Sequence, residues 1–223
     1  MHLTKGTAAA LIGVIVIAGG AFAIGKDGRV TALPSPAEVT AAEDSRFSVE
    51  CVTVRHVHPD GTVDLLLIDV PVYKSIEHLT KDASAVVVGQ VVDQGGTRNL
   101  ARNPKDPTQE AEDHQVMSQE YIFEVENYLK GSGEAQIDVV YPASIIRNNG
   151  VEIEEPEVPL EPGKRYVLFL QEGSDGYRGV GTPWQFQLID GRAEARAYEA
   201  RHAAPFQGLT EADLIRQILH AAE

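Results

Sequence analysis

His56, in FSVECVTVRHV (residues 47–57), a run rich in β-branched residues, and His58 just beyond it stand two apart. On a strand both imidazoles face the same way, and Asp60 follows in the adjoining turn. Two neutral imidazoles and a carboxylate are ordinary ligands for a divalent ion such as zinc. His56, His58 and Asp60 are therefore the metal-site candidate, and the plainer reading of the same spacing is a solvated strand end. Cys51 lies among Val49, Val52 and Val54, which predicts a buried, inert thiol rather than a nucleophile. The acidic run from Val151 to Glu157 offers carboxylate oxygens of the kind calcium takes. It lacks the Asp-rich spacing and glycine of a dedicated loop, so a solvated edge strand or loop is expected. Arg98, Arg102 and Lys105 form a basic patch, but Glu110, Glu112 and Asp113 follow, which predicts a mixed-charge loop. Trp184, Phe186, Tyr166 and Phe169 recur at strand spacing, as core aromatics do. Gly-x-Ser-x-Gly, phosphate-loop and His-Glu-x-x-His patterns are absent, so the sequence nominates no catalytic residue and no cofactor.

The elements that position these residues read as strands joined by turns. Residues 47–57 and 63–70 flank Pro59-Asp60-Gly61, where proline sets φ and glycine accepts a left-handed position, so a hairpin is expected. A short helix is expected over 75–82 and a buried strand over 85–92. Residues 94–114, broken by two glycines and two prolines, are expected to be a mobile insertion. Tyr121, Phe123 and Val125 alternate with Glu120, Glu124 and Glu126, the period of a half-buried strand. Further strands are expected at 135–141, at 165–171 and around Trp184, Phe186 and Leu188. Near the end, Thr210 is placed to cap a helix with Asp213 three residues on, and Leu214, Ile215, Ile218, Leu219 and Ala222 form one apolar stripe. The expected architecture is mainly β: a small antiparallel barrel or sandwich with an N-terminal hydrophobic helix and a C-terminal amphipathic helix.

Ala8 to Ile24 is a run of 17 residues without charge or proline. As a helix it would extend ~26 Å at 1.5 Å per residue, close to the thickness of a hydrocarbon core. It reads either as a membrane anchor through residues 8–24 or as a signal peptide cleaved near Ala23. The expected organisation is an anchor or signal at 1–25, a Pro-containing linker at 26–46, a β domain at 47–195 carrying the 94–114 insertion, and a helical segment at 196–223. The 223-residue chain has 19 Lys plus Arg against 33 Asp plus Glu, a formal charge of −14. That balance repels phosphate backbones, so no nucleic-acid partner is expected. The single cysteine rules out an internal disulfide framework.

Four stretches fall together: AVVVGQV at 85–91, YIFEV at 121–125, Leu129-Lys130-Gly131, and PGKRYVLFL at 162–170. In this the chain resembles uncharacterised exported bacterial domains, and more distantly the netrin and tissue-inhibitor-of-metalloproteinase type of oligonucleotide-binding (OB) barrel. The resemblance covers roughly residues 83–190 and implies a barrel. It implies no inhibition, because the family's N-terminal cysteine and disulfides have no counterpart here.

These readings together lead to the expectation of an extracytoplasmic binding module, membrane-anchored or secreted, whose partner is a protein, peptide or wall component. The alternatives are a metal-dependent or other hydrolase with its site near His56, His58 and Asp60, and a structural subunit assembling through the C-terminal helix.

Overall fold

The computed structural model describes residues 14–17, 20–24, 30–32, 47–57, 63–103, 105–111, 114–147, 152–154, 158–173 and 176–223. It divides into two compact units, Met1–Ser45 and Arg46–Glu223.

In the first unit, β1 (Val14–Ile17), β2 (Gly20–Ile24) and β3 (Val30–Ala32) form an antiparallel sheet in that order. Where the apolar run is described it is therefore two strands rather than the expected single helix; its other residues lie outside the described ones. β3 likewise falls within the expected linker. Val14 to Ile17 are all β-branched, stiff at χ1 and better suited to strands, and glycine at 20 weakens a helix interior. Among the described residues no helix is long and apolar enough to cross a membrane.

The second unit begins with a hairpin, β4 (Phe47–Val57) and β5 (Val63–Tyr73), closed at Val57↔Val63. Helix α1 (Ile76–Asp82) follows, with the Ser75 hydroxyl accepting from the His78 amide at 3.2 Å. Then come β6 (Ala85–Asn99), β7 (Arg102–Asn103), β8 (Asp106–Glu110), β9 (His114–Lys130), β10 (Gln136–Arg147), β11 (Glu152–Glu154), β12 (Arg165–Gly173), β13 (Gly176–Gly179), β14 (Gln185–Ile189) and β15 (Arg192–Arg196). The chain continues through α2 (Ala200–Ala203), a 3-10 turn (Ala204–Phe206) and α3 (Glu211–Ala222).

One large sheet runs β11-β10-β9-β6-β12-β14-β15 with antiparallel neighbours. β13 pairs antiparallel with β12 and parallel with β10, through Val139↔Tyr177. The sheet is thus mixed where an all-antiparallel one was expected. β10, β9, β6, β12 and β13 also form a ring of hydrogen-bonded neighbours that returns to its first strand.

The expected mobile insertion at 94–114 is mostly strand. β6 continues to Asn99, β7 and β8 make a small hairpin, and β9 already starts at His114. Pro104, Glu112 and Asp113 lie outside the described residues. Gly95 and Gly96 fall where the β6–β9 register shifts between Gln94 and Thr97, so an irregularity in the ladder absorbs them without ending the strand.

Alternation divides the apolar residues between two cores. Val87, Val91, Tyr121, Phe123, Val139, Tyr166, Leu168 and Leu170 pack together on one face of the ring strands. Val86, Val88, Val167, Phe169 and Phe186 face the other way, onto Ile76 and Leu79 of α1, Phe206, and Leu214 and Ile218 of α3. The Thr210 hydroxyl accepts from the Asp213 amide at 3.1 Å and starts α3. Of its apolar stripe Leu214 and Ile218 are buried, while Leu219 is exposed.

Candidate functional site

His56 lies in β4 at the register position opposite Asp64. His58 and Asp60 fall outside the described residues. Among the described residues no three His, Cys, Asp or Glu side chains gather closely enough to hold a metal ion.

Cys51 is exposed, against the expectation of burial. Period two sets Phe47, Val49 and Cys51 on one face of β4 and Ser48 and Glu50 on the other. The first face is the open one, with Val49 61% exposed. A run apolar at successive positions does not say which face will be covered. The thiol pKa is pushed up by partial burial and by the Asp69 carboxylate directly across the hairpin, so at neutral pH it stays protonated.

The stretches that carry the family resemblance have structural duties. Gly89 sits at a register shift in β6, where an added Cβ would lie 2.0 Å from the Glu124 carbonyl oxygen, so no larger residue fits. The Lys130 ammonium donates to the carbonyls of Thr80 (2.7 Å), Lys81 (3.1 Å) and Ala83 (2.7 Å), satisfying acceptors that a helix leaves open at its C-terminal end. Gly163 turns with φ 80°, and its amide donates to the Val91 carbonyl at 2.7 Å while the Val91 amide donates to the Lys164 carbonyl at 3.0 Å. The Arg165 guanidinium grips Glu126 of β9 through two bonds of 2.8 and 2.7 Å and reaches Glu211 of α3 at 3.4 Å. That grip holds the Glu126 carboxyl below its usual range. Tyr166, Phe169, Trp184 and Phe186 are all buried, with the Tyr166 hydroxyl accepting from the Glu161 amide at 3.1 Å.

The basic patch is engaged at its first two members. Arg98 Nε meets Glu120 at 2.7 Å, and Arg102 Nη1 donates to the Asn99 carbonyl at 2.7 Å. Asn99 is buried and ties three strands: its Oδ1 accepts from the amides of Ala101 (2.9 Å) and Val116 (3.0 Å), and its Nδ2 donates to Glu110 at 3.2 Å.

The described surface becomes site-like beside β15. Ala193 N donates to Leu209 O at 3.0 Å, so it points away from β14, and Thr210 bridges Arg192. Leu209 and Thr210 thus occupy the next strand's place for two residues only. Gly208, at φ 81°, diverts the preceding chain into the 3-10 turn. A cleft of about 280 Å³ is left between β15 and the 203–209 segment. Its α2 wall is anchored from β4, where Glu50 Oε2 meets Arg201 Nη1 at 3.0 Å and the buried His202 Nε2 at 3.2 Å. On the same face of β4 the Ser48 hydroxyl oxygen is buried without a hydrogen-bond partner among the described residues. Sequence reasoning singled out neither His202 nor Glu50, and no local signal could reveal a contact between residues 152 positions apart.

Compared with protein-family models, with curated proteins and with solved structures, the chain matches none.

Proposed function

We propose that this chain is a non-enzymatic binding module displayed outside the cytoplasm, held by its N-terminal apolar run or exported behind it. The observation that carries the placement is the run from Ala8 to Ile24, 17 residues without charge or proline. In hydrocarbon a helix satisfies its own backbone within one segment, so lipid favours a conformation that strand pairing replaces elsewhere. The ring of five strands with its parallel β10–β13 contact supports an OB-type barrel for the body. Such a body offers rims and edges for recognition, and the formal charge of −14 favours a protein, peptide or wall component over nucleic acid as partner.

The test is protease treatment of intact cells producing the full chain, with membrane and soluble fractions assayed in parallel. The body is expected to be cut in intact cells and to fractionate with the membrane or the exported material. Protection until lysis, with the full chain in the soluble fraction, overturns the placement.

A further inference from the structure

The cleft beside β15 has a backbone chemistry that specifies its occupant. In an antiparallel ladder the N–H and C=O of one residue point to the same side, and that side alternates along the strand. Because the Ala193 amide points outward to Leu209, the Ala195 amide and carbonyl point outward too, into the cleft. None of the backbone bonds among the described residues beyond the ladders reaches Ala195. β15 is the last strand of the large sheet, so no further strand covers it there.

The side chains around this edge leave room. Ala193 and Ala195 are small, and Phe206 forms the floor where Gly208 has turned the chain away. At about 280 Å³ the cleft is far larger than the space one structural water needs to bridge a gap. On the opposite face of β15, Glu194 is exposed.

We propose that β15 receives an extended peptide by strand addition, paired antiparallel on Ala195, with one apolar side chain in the cleft against Phe206 and a basic residue beside Glu194. This rests on the binding-module reading and names its ligand class. The incoming strand continues the line that Leu209 and Thr210 begin, so its C-terminal end lies beside Glu194. Across residues 197 to 194, antiparallel pairing therefore reads Thr-Glu-Leu-Lys in the peptide.

The probe is fluorescein-labelled Thr-Glu-Leu-Lys-amide, added at up to millimolar concentration to the full chain in detergent. Anisotropy reads binding, and hydrogen exchange reads where the backbone becomes protected. Saturable binding is expected, with protection confined to 192–198. Ala195→Pro removes the outward donor at a position where an edge strand tolerates proline, and is expected to weaken binding about tenfold, the equivalent of one hydrogen bond of ~1.4 kcal/mol. Ala195→Leu keeps the donor but fills the cleft and is expected to weaken binding at least as much. Both variants should retain the parent's unfolding midpoint within a few degrees; a variant that does not is replaced as evidence by the exchange footprint on the parent.

Binding that neither variant changes overturns this site while leaving the module reading in place. Absence of saturable binding at millimolar probe, or light scattering that shows the edge closed by a second copy of the chain, also overturns it. The module reading fails separately, in the cell-fractionation assay.

Discussion

Strands β6, β9 and β10 each pass through two environments. In one stretch they contribute Val87, Val91, Tyr121, Phe123, Ile137 and Val139 to an apolar interior. Further out, the buried residues include Asn99, Ser118 and Ser144, with Ala101 and Ala111 beside them and Val116 and Ile145 as the larger apolar members. The first region is held by area: a fully buried large apolar side chain contributes ~1.5–3 kcal/mol. The outer region is held by polar bonds, each worth ~0.5–1.5 kcal/mol net. They include the three from Asn99, the Ser118 hydroxyl on the Arg98 carbonyl at 3.0 Å, and Gln119 Nε2 on the carbonyls of Gly95 (2.8 Å) and Gly96 (3.2 Å). A continuous strand therefore need not be uniformly stable, and the polar end is the one placed to open first.

The largest expected effect is at the apolar end. Phe123→Ala removes a ring with no solvent exposure and should cost ~3–5 kcal/mol, read as a lower denaturant midpoint for the whole second unit. Gly89→Ala, which sets a methyl against the Glu124 carbonyl, should cost ~1–3 kcal/mol and move the same global transition. Asn99→Ala orphans buried donors and should cost ~1–3 kcal/mol, but locally. Amide exchange at Ala101 and Val116 is expected to accelerate while exchange at Phe123 stays slow. Equal acceleration at all three would erase the distinction between the two regions.

Ionisation sharpens the same contrast at smaller amplitude. Burial raises the Tyr121 pKa above its ordinary value near 10. Because the folded value is the higher one, the contribution is full below pH ~10 and is lost as pH rises past it. Tyr121→Phe should flatten that alkaline loss in pH-dependent unfolding. The smallest effect is expected at Glu126, whose pKa is lowered chiefly by its hydrogen bond to Arg165. A lowered carboxylate value stabilises above the unfolded pKa of ~4.3 and is lost as pH falls through the folded one. The pair is more than a third exposed, so Glu126→Gln should cost no more than ~1 kcal/mol at neutral pH, and less in high salt.

Much of the mainly β character was legible from local signals. The alternation around Tyr121 to Glu126, the Pro59-Asp60-Gly61 centre between two β-branched runs and the Thr210-to-Asp213 spacing each act within a few residues. The continuation of β6 through 94–99 was not legible, because polar residues become strand there only through bonds to β9, whose sequence lies beyond the apparent break. Nor was the outward face of Cys51, since both faces of β4 carry apolar residues and coverage is decided by distant chain. The parallel β10–β13 contact and the Glu50–His202 contact are likewise products of closure. The β15 cleft exists because Gly208 turns the chain aside, and a glycine between polar and apolar neighbours is too common a signal to have marked it.

The ammonium of Lys130 has three protons and three carbonyls to receive them, at the end of a helix that lies 47 to 50 residues earlier. Seven residues are too few to keep a helix standing alone in water. During synthesis, then, the bonds that close α1's last turn become available only after the ribosome has delivered the whole β6–β9 stretch, so the helix end is finished by a lysine at the far end of a distant strand.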